Sequence, residues 1–191
     1  MNKNIVLCGV GGQGTVLASK LIAAAAMEKQ IPVMSAETIG MAQRGGSVFS
    51  HLRMGEGIHS PMIARHQADI IIGFEPGETV RMLPYLKEGG QVIVSSRAVM
   101  PVTAALSGME YSGENMLSYL QEKVENLLIV DTEAACRELG TAKVLNILLL
   151  GAAVRSGALG LSKEDIEAAI TKRLPEKLHE LNFRALSYDR Y

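Results

Sequence analysis

The stretch Asn4-Ile5-Val6-Leu7-Cys8-Gly9-Val10-Gly11-Gly12-Gln13-Gly14-Thr15 decides the fold. Asn4 to Cys8 is a short apolar run that reads as a buried strand. The turn Gly9 to Gly14 follows, and Thr15 to Met27 then reads as an alanine-rich apolar helix. A strand, a glycine turn and a helix in that order gather backbone N–H groups at a helix N-terminus, a place that attracts phosphate or carboxylate. Many α/β folds open on such a turn, so by itself it predicts a Rossmann-like first βαβ unit and not a ligand.

Working outward, Ile31 to Ala36 reads as a second strand that ends at Glu37. An acid there is either the ribose-binding carboxylate of a dinucleotide fold or a solvated loop residue. The next ten residues, Thr38 to Ser47, are too rich in glycine for a helix throughout. They combine Gln43, Arg44, Gly45 and Gly46: an amide, a guanidinium suited to bidentate recognition of carboxylate or phosphate, and two residues that permit positive φ. The plainer alternative is a surface loop with an incidental arginine. Val48 to Met54 alternates with period two, so Phe49, His51 and Arg53 share one face of a strand. That strand follows its neighbour without a clear crossover helix, which predicts a mixed sheet.

Further along, Met62 to Gln67 reads as a helical turn and Ala68 to Phe74 as a continuous buried strand. Glu75 closes that strand, either as a ligand contact at a strand C-terminus or as a carboxylate favoured at a helix start. A helix over Gly77 to Lys87, broken near Pro84, a turn at Gly89-Gly90 and a strand over Gln91 to Ser95 come next. Ser96 to Gly113 has no regular pattern. A helix over Glu114 to Lys123, a strand over Asn126 to Val130, and a helix over Glu133 to Leu139, capped by Thr132 and ended by Gly140, complete the alternation. Thr141 to Arg155 is apolar around nearly its whole circumference and must be buried in the core or against another subunit. Two more helices end near Arg173 and Leu186. The expected architecture is one domain over residues 1–191: a three-layer α/β/α sandwich with a largely parallel, mixed sheet of about six strands.

Composition narrows the function classes. Nineteen Lys and Arg against twenty Asp and Glu leave the chain near neutrality, which argues against nucleic-acid or membrane-surface binding driven by charge. The polar start before a four-residue apolar run does not read as an export signal, so a cytoplasmic protein is expected. Two cysteines, Cys8 and Cys136, cannot hold an iron–sulfur cluster, and the four histidines show no ligand pair on one helical face. No metal site is predicted.

Several stretches taken together resemble one family. They are Gly9 to Gly14, then Gly40-Met41-Ala42-Gln43-Arg44-Gly45-Gly46-Ser47-Val48, His51-Leu52-Arg53 and Ser60-Pro61. Ala68-Asp69, Phe74-Glu75-Pro76-Gly77-Glu78 and Leu83 to Gly90 complete the set. The pattern resembles the gamma-type domain of the 2-oxoacid:ferredoxin oxidoreductases over residues 4 to about 155. In its length as a free-standing chain it is most similar to the beta subunits of the indolepyruvate type. The resemblance implies oxidative decarboxylation of a 2-oxoacid with coenzyme A as co-substrate, giving an acyl-CoA, carbon dioxide and reduced ferredoxin. It implies thiamine diphosphate, magnesium and iron–sulfur clusters in a larger partner subunit, none bound by this chain alone, and a chain inactive by itself.

In such a complex Gly9, Gly11, Gly12, Gln13, Gly14, Gln43, Arg44, Gly45 and Gly46 are expected to line a cleft shared with the partner, with Glu37, Arg53 and Glu75 as further contacts. His51 is the one weak candidate for proton transfer. Two alternatives stay open: both loops merely build the subunit interface, or the chain is a stand-alone NAD- or ATP-binding Rossmann-like enzyme.

Overall fold

Six strands form one mixed sheet in the order β2-β3-β1-β4-β5-β6. They are β1 (Lys3–Val10), β2 (Val33–Ile39), β3 (Ser47–Met54), β4 (Ala68–Gly73), β5 (Leu86–Ser95) and β6 (Asn126–Val130). This is a computed structural model, and it describes residues 2–39, 45–100 and 110–190. β1, β4, β5 and β6 run parallel, while β3 lies antiparallel to both β1 and β2. The mixed sheet expected from the missing crossover helix is present. β3 has inserted itself between the first two parallel strands.

The period-two alternation of β1 separates two layers. Ile5 and Leu7 face the larger one, with Leu21 and Ile22 of α1 (Thr15–Glu28), Ala135 of α4 (Thr132–Leu139), Ile147 and Leu148 of α5 (Leu145–Arg155), Ile166 and Ile170 of α6 (Lys163–Arg173) and Leu186 of α7 (His179–Leu186). Val6 and Cys8 face the other layer. There Val80 of α2 (Pro76–Met82) and Leu120 of α3 (Gly113–Lys123) pack on them, with Ile63 from the β3–β4 connection. The α/β/α sandwich is therefore asymmetric, with its heavier layer on the side of α1.

α5 explains that asymmetry. Leu145 to Ala153 are all buried, as the circumference of apolar residues requires, and the cover comes from this chain's own core. Gly151 lets α7 approach closely: a Cβ there would stand 2.3 Å from the Leu186 carbonyl oxygen. Elsewhere local chemistry sets the ends. Ser162 and Asp165 cap α6 reciprocally. Gly140, at φ 78°, ends α4.

Several expectations are corrected. β2 runs on past Glu37 to Ile39. Met62 to Gln67 holds no helical turn, because its backbone is pinned to other segments: Ile63 N–H to His51, and His66 and Gln67 N–H to the carbonyls of Pro84 and Tyr85. Gly89-Gly90 is absorbed into a longer β5, with a register irregularity where it pairs β4. The cap of α4 is Asp131, whose carboxylate accepts from Ala134 N–H, and Thr132 instead shares a buried 2.6 Å hydrogen bond with Ser95. α2 stops at Met82, and Leu83–Tyr85 continues as a single 3₁₀ turn around Pro84.

Candidate functional site

The carboxyl ends of β1, β2, β4, β5 and β6 and the amino end of β3 lie along one edge of the sheet. α1 leaves β1 towards the larger layer, whereas α2 leaves β4 towards the smaller one. The crevice between β1 and β4 is thus the topological switch point, where open α/β sheets place their ligands.

Each glycine of the first loop has its own reason. A Cβ on Gly9 would lie 2.6 Å from Gln13 Oε1 and 2.7 Å from Phe74 Cβ, so Gly9 makes room for packing. Gly14, the N-cap of α1, combines φ 85° with the Asn146 side chain 2.8 Å from where its Cβ would be. Gly12 has φ 102° but meets nothing within 4 Å, so it faces open space. Gly11 donates its N–H to the Gly46 carbonyl at 2.8 Å. Gln13 is a brace: its Oε1 accepts from Val10 N–H at 2.8 Å, and its Nε2 donates to the Phe74 carbonyl at 2.8 Å. Its amide therefore ties the β1 and β4 loops together and is spent inside the protein. The first turn of α1 has no side-chain cap and no acidic residue among the described residues, which leaves its positive end uncompensated from within.

The β4–α2 loop supplies the other wall. Glu75 is 1 % exposed and caps α2 through Glu78 N–H at 2.9 Å. Its second oxygen accepts from the Tyr111 hydroxyl and, at 3.4 Å, from Val99 N–H. Tyr111 in turn accepts from Gly77 N–H, and a Cβ at 77 would stand 2.8 Å from the tyrosine oxygen and have to displace it. Burial and the bond to Glu75 push the Tyr111 hydroxyl pKa up. Glu78, 5 % exposed, accepts from the Ser47 hydroxyl at 2.6 Å and from Arg81 at 3.1 Å. Beneath both carboxylates lies Cys8, fully buried, its thiol pKa driven far up mainly by desolvation. Glu75 is thus the helix-start carboxylate of the two readings, buried on protein donors.

Three candidate residues are not brought to this edge. Glu37 pairs with Ser50, and Ser50 pairs with Leu7. Glu37 therefore sits within the edge strand, two strands from β1 and below the loop level, away from a ribose acid's position. Arg53 is opposite Asn4, six residues down the ladder from the Val10–Ser47 pair, roughly 20 Å away at about 3.4 Å per residue. Its guanidinium binds Asn4 Oδ1 and the Ser60 carbonyl, each at 3.0 Å. His51 is fully buried, and its Nδ1 accepts from Ile63 N–H at 2.9 Å. That fixes the proton of the neutral ring on Nε2. Burial lowers its pKa, and its ring meets Tyr85 in a T-shaped contact. His51 and Arg53 hold the 55–67 connection on the smaller-layer face of the sheet. Gln43 and Arg44 lie outside the described residues. Gly45 has the positive φ its type allows, 75°.

Reading the sequence missed Ser47, Glu78, Tyr111 and Asn146. The spacing Glu75-x-x-Glu78 signals a helix start, but nothing in it points to Ser47 thirty-one residues earlier. For metal or cluster chemistry the donors do not fit: Cys8 and Cys136 are buried in opposite layers, and no group of three His, Cys, Asp or Glu capable of holding a metal occurs among the described residues. No helix among them is long and apolar enough to cross a membrane. A cleft of about 600 Å³ does open at the opposite edge, lined by Leu83, Leu86, Lys87, Tyr119 and Lys123 among others. Its two lysines are paired with Asp69 and Glu122, whereas the carboxyl edge gathers the glycine loop and the buried acids.

Residues 4–188 match the family model described as pyruvate ferredoxin/flavodoxin oxidoreductase. The chain is similar to indolepyruvate oxidoreductase subunit IorB of Methanothermobacter thermautotrophicus, 37% identical over 186 residues, spanning 97% of this chain and 94% of that protein. The subunit of the same name from Thermococcus kodakarensis is 35% identical, over 95% of this chain and 91% of its own. Among solved structures, the gamma subunit of a keto/oxoacid ferredoxin oxidoreductase from Geobacter sulfurreducens superposes with a TM-score of 0.68 at 25% identity, over 96% of this chain and 94% of that one. A 2-oxoglutarate:ferredoxin oxidoreductase chain from Magnetococcus marinus shares the fold at 16% identity and a TM-score of 0.65. The match covers 97% of this chain but 30% of that longer one.

Proposed function

The chain belongs to the pyruvate ferredoxin/flavodoxin oxidoreductase family, and on that premise we propose that it is the small subunit of a 2-oxoacid:ferredoxin oxidoreductase of the indolepyruvate type. The reaction converts an aryl pyruvate and coenzyme A into an acyl-CoA and carbon dioxide and passes the electrons to ferredoxin. The observation that carries this reading is the near end-to-end correspondence with IorB subunits, 94% of the relative's own length. Thiamine diphosphate, magnesium and iron–sulfur clusters belong to a larger partner subunit, and the chain alone is inactive.

The switch-point edge is the face turned to that partner. Gly12 and Gly14 present backbone at the uncapped start of α1, suited to a carboxylate or phosphate, while Gly11, whose N–H is held by the Gly46 carbonyl, sets the position of the loop. Gln43 and Arg44, with Gly45 and Gly46, are the proposed side of the site that contacts the same anion. Gln13 and Glu75 shape it from below, being already bonded within the chain. The test is turnover of the complex reconstituted with Arg44→Ala: a raised KM for the 2-oxoacid or coenzyme A is expected, and unchanged constants for both overturn the placement. Titration of the lone chain with NAD and ATP separates the remaining alternative. The displaced Glu37 leads us to expect no tight binding of either.

A further inference from the structure

Three loops meet at the carboxyl edge, and their hydrogen bonds close into a circuit. Gly11 N–H reaches the Gly46 carbonyl, and Ser47, the next residue, donates to Glu78. Glu78 N–H returns to Glu75, and Phe74, beside Glu75, accepts from Gln13 in the glycine loop. Each link joins residues far apart in the chain except the Glu75–Glu78 cap.

Within that circuit Glu78 behaves unusually for its place. It is the third residue of α2, behind an N-cap whose side chain bonds its N–H. An acid in that position ordinarily reaches back to the N-cap's own N–H and completes a capping box. Here the carboxylate turns across the sheet edge to the first residue of β3 and is buried to 5 % exposure. Burying a carboxylate is costly unless donors compensate it. Its donors are Ser47, half-buried, and Arg81, whose side chain is 66% exposed.

We propose that Glu78 is a positioning residue for the glycine loop: by holding Ser47 it keeps the Gly46 carbonyl on Gly11 N–H, and so fixes the loop at the switch point. This inference rests on the reading above only for its functional consequence. The mechanical part stands on the circuit itself. Among the described strands β3 alone runs opposite to the other five, so it starts at this edge instead of leaving it into a helix. The Glu78 carboxylate supplies the brace from the far side of β1.

The experiment is amide exchange at Gly11 in the full chain, referenced to the buried amides of Ile71 and Ile72 in β4. Ser47→Ala should accelerate Gly11 exchange roughly tenfold, the scale of losing a charge-assisted hydrogen bond. Glu78→Gln should accelerate it less, since the amide oxygen still accepts from Ser47, and the double variant should match Ser47→Ala instead of adding to it. Arg81→Ala should leave Gly11 unchanged. Wild-type exchange at Gly11 in Ser47→Ala, additive effects in the double variant, or an equal effect of Arg81→Ala each overturns the proposal. Kinetics of the complex carrying Ser47→Ala separate the two claims. Faster Gly11 exchange with unchanged KM for 2-oxoacid and coenzyme A supports the positioning role and refutes a substrate cleft at this edge. Faster exchange with a raised KM supports both.

Discussion

Gly9–Gly14, a glycine turn closing β1, and His51–Arg53, inside β3, both offer site candidates in the sequence, yet the fold puts them to opposite uses. The first lies at the carboxyl edge and leaves Gly12 facing open space. The second lies on β3, which runs away from that edge, so each step from Ser47 carries its residues further from the crevice. There His51 and Arg53 pin the 55–67 connection. The difference teaches that strand direction, more than residue chemistry, decides which polar residues reach a site.

Substitutions at the two regions sharpen this contrast. Gly9→Ala should have the largest effect, about 2–4 kcal/mol of lost stability in denaturant titration, because its Cβ would clash with Gln13 and Phe74. Gln13→Ala should cost about 1–3 kcal/mol by leaving Val10 N–H and the Phe74 carbonyl without their partner. If it left stability at wild type and only weakened ligand binding, the brace would be the wrong role. Arg53→Ala should cost about 1 kcal/mol and open the 60–62 backbone to proteolysis, with KM for both substrates unchanged. A raised KM would erase the distinction between the two regions.

The pH dependence is the mildest contrast. His51 has its pKa lowered in the folded chain below 6.5 by burial. The unfolded chain therefore takes up the proton first, so stability holds above about pH 6.5 and declines as pH falls below it, until the folded-state pKa is passed. A His51→Phe variant should lose that part of the slope in urea titrations at pH 7.5 and 5.5. A slope identical to the wild type's would show that the ring is not the titrating group.

Much of the architecture is legible in residue patterns. The apolar run, glycine turn and alanine-rich helix of residues 4–27 specify the first βα unit locally, since the run and the turn's positive φ are properties of those residues, although pairing with β3 carries the strand on through Gly9 and Val10. The all-round apolar Leu145 to Ala153 demands burial whatever its neighbours. The site is less legible. Glu75 reads correctly as an acid at a strand end, but its capture by Tyr111 joins residues thirty-six apart. Ser47 and Glu78 carry no local sign of each other.

By itself, then, the sequence determined the alternation of strands and helices, the glycine loop, the mixed character of the sheet and the resemblance to an oxidoreductase family. The first three follow from periodicity and turn chemistry, which act over a few residues, and the resemblance rests on the set of motifs quoted from Gly9 to Gly90. Only the tertiary structure decided that β3 inserts between β1 and β2, that Glu37, His51 and Arg53 fall away from the crevice, and that Gln13 is a brace. Period two tells which face a side chain takes. It is silent on strand order and direction, which the packing of the whole sheet against its two helical layers fixes.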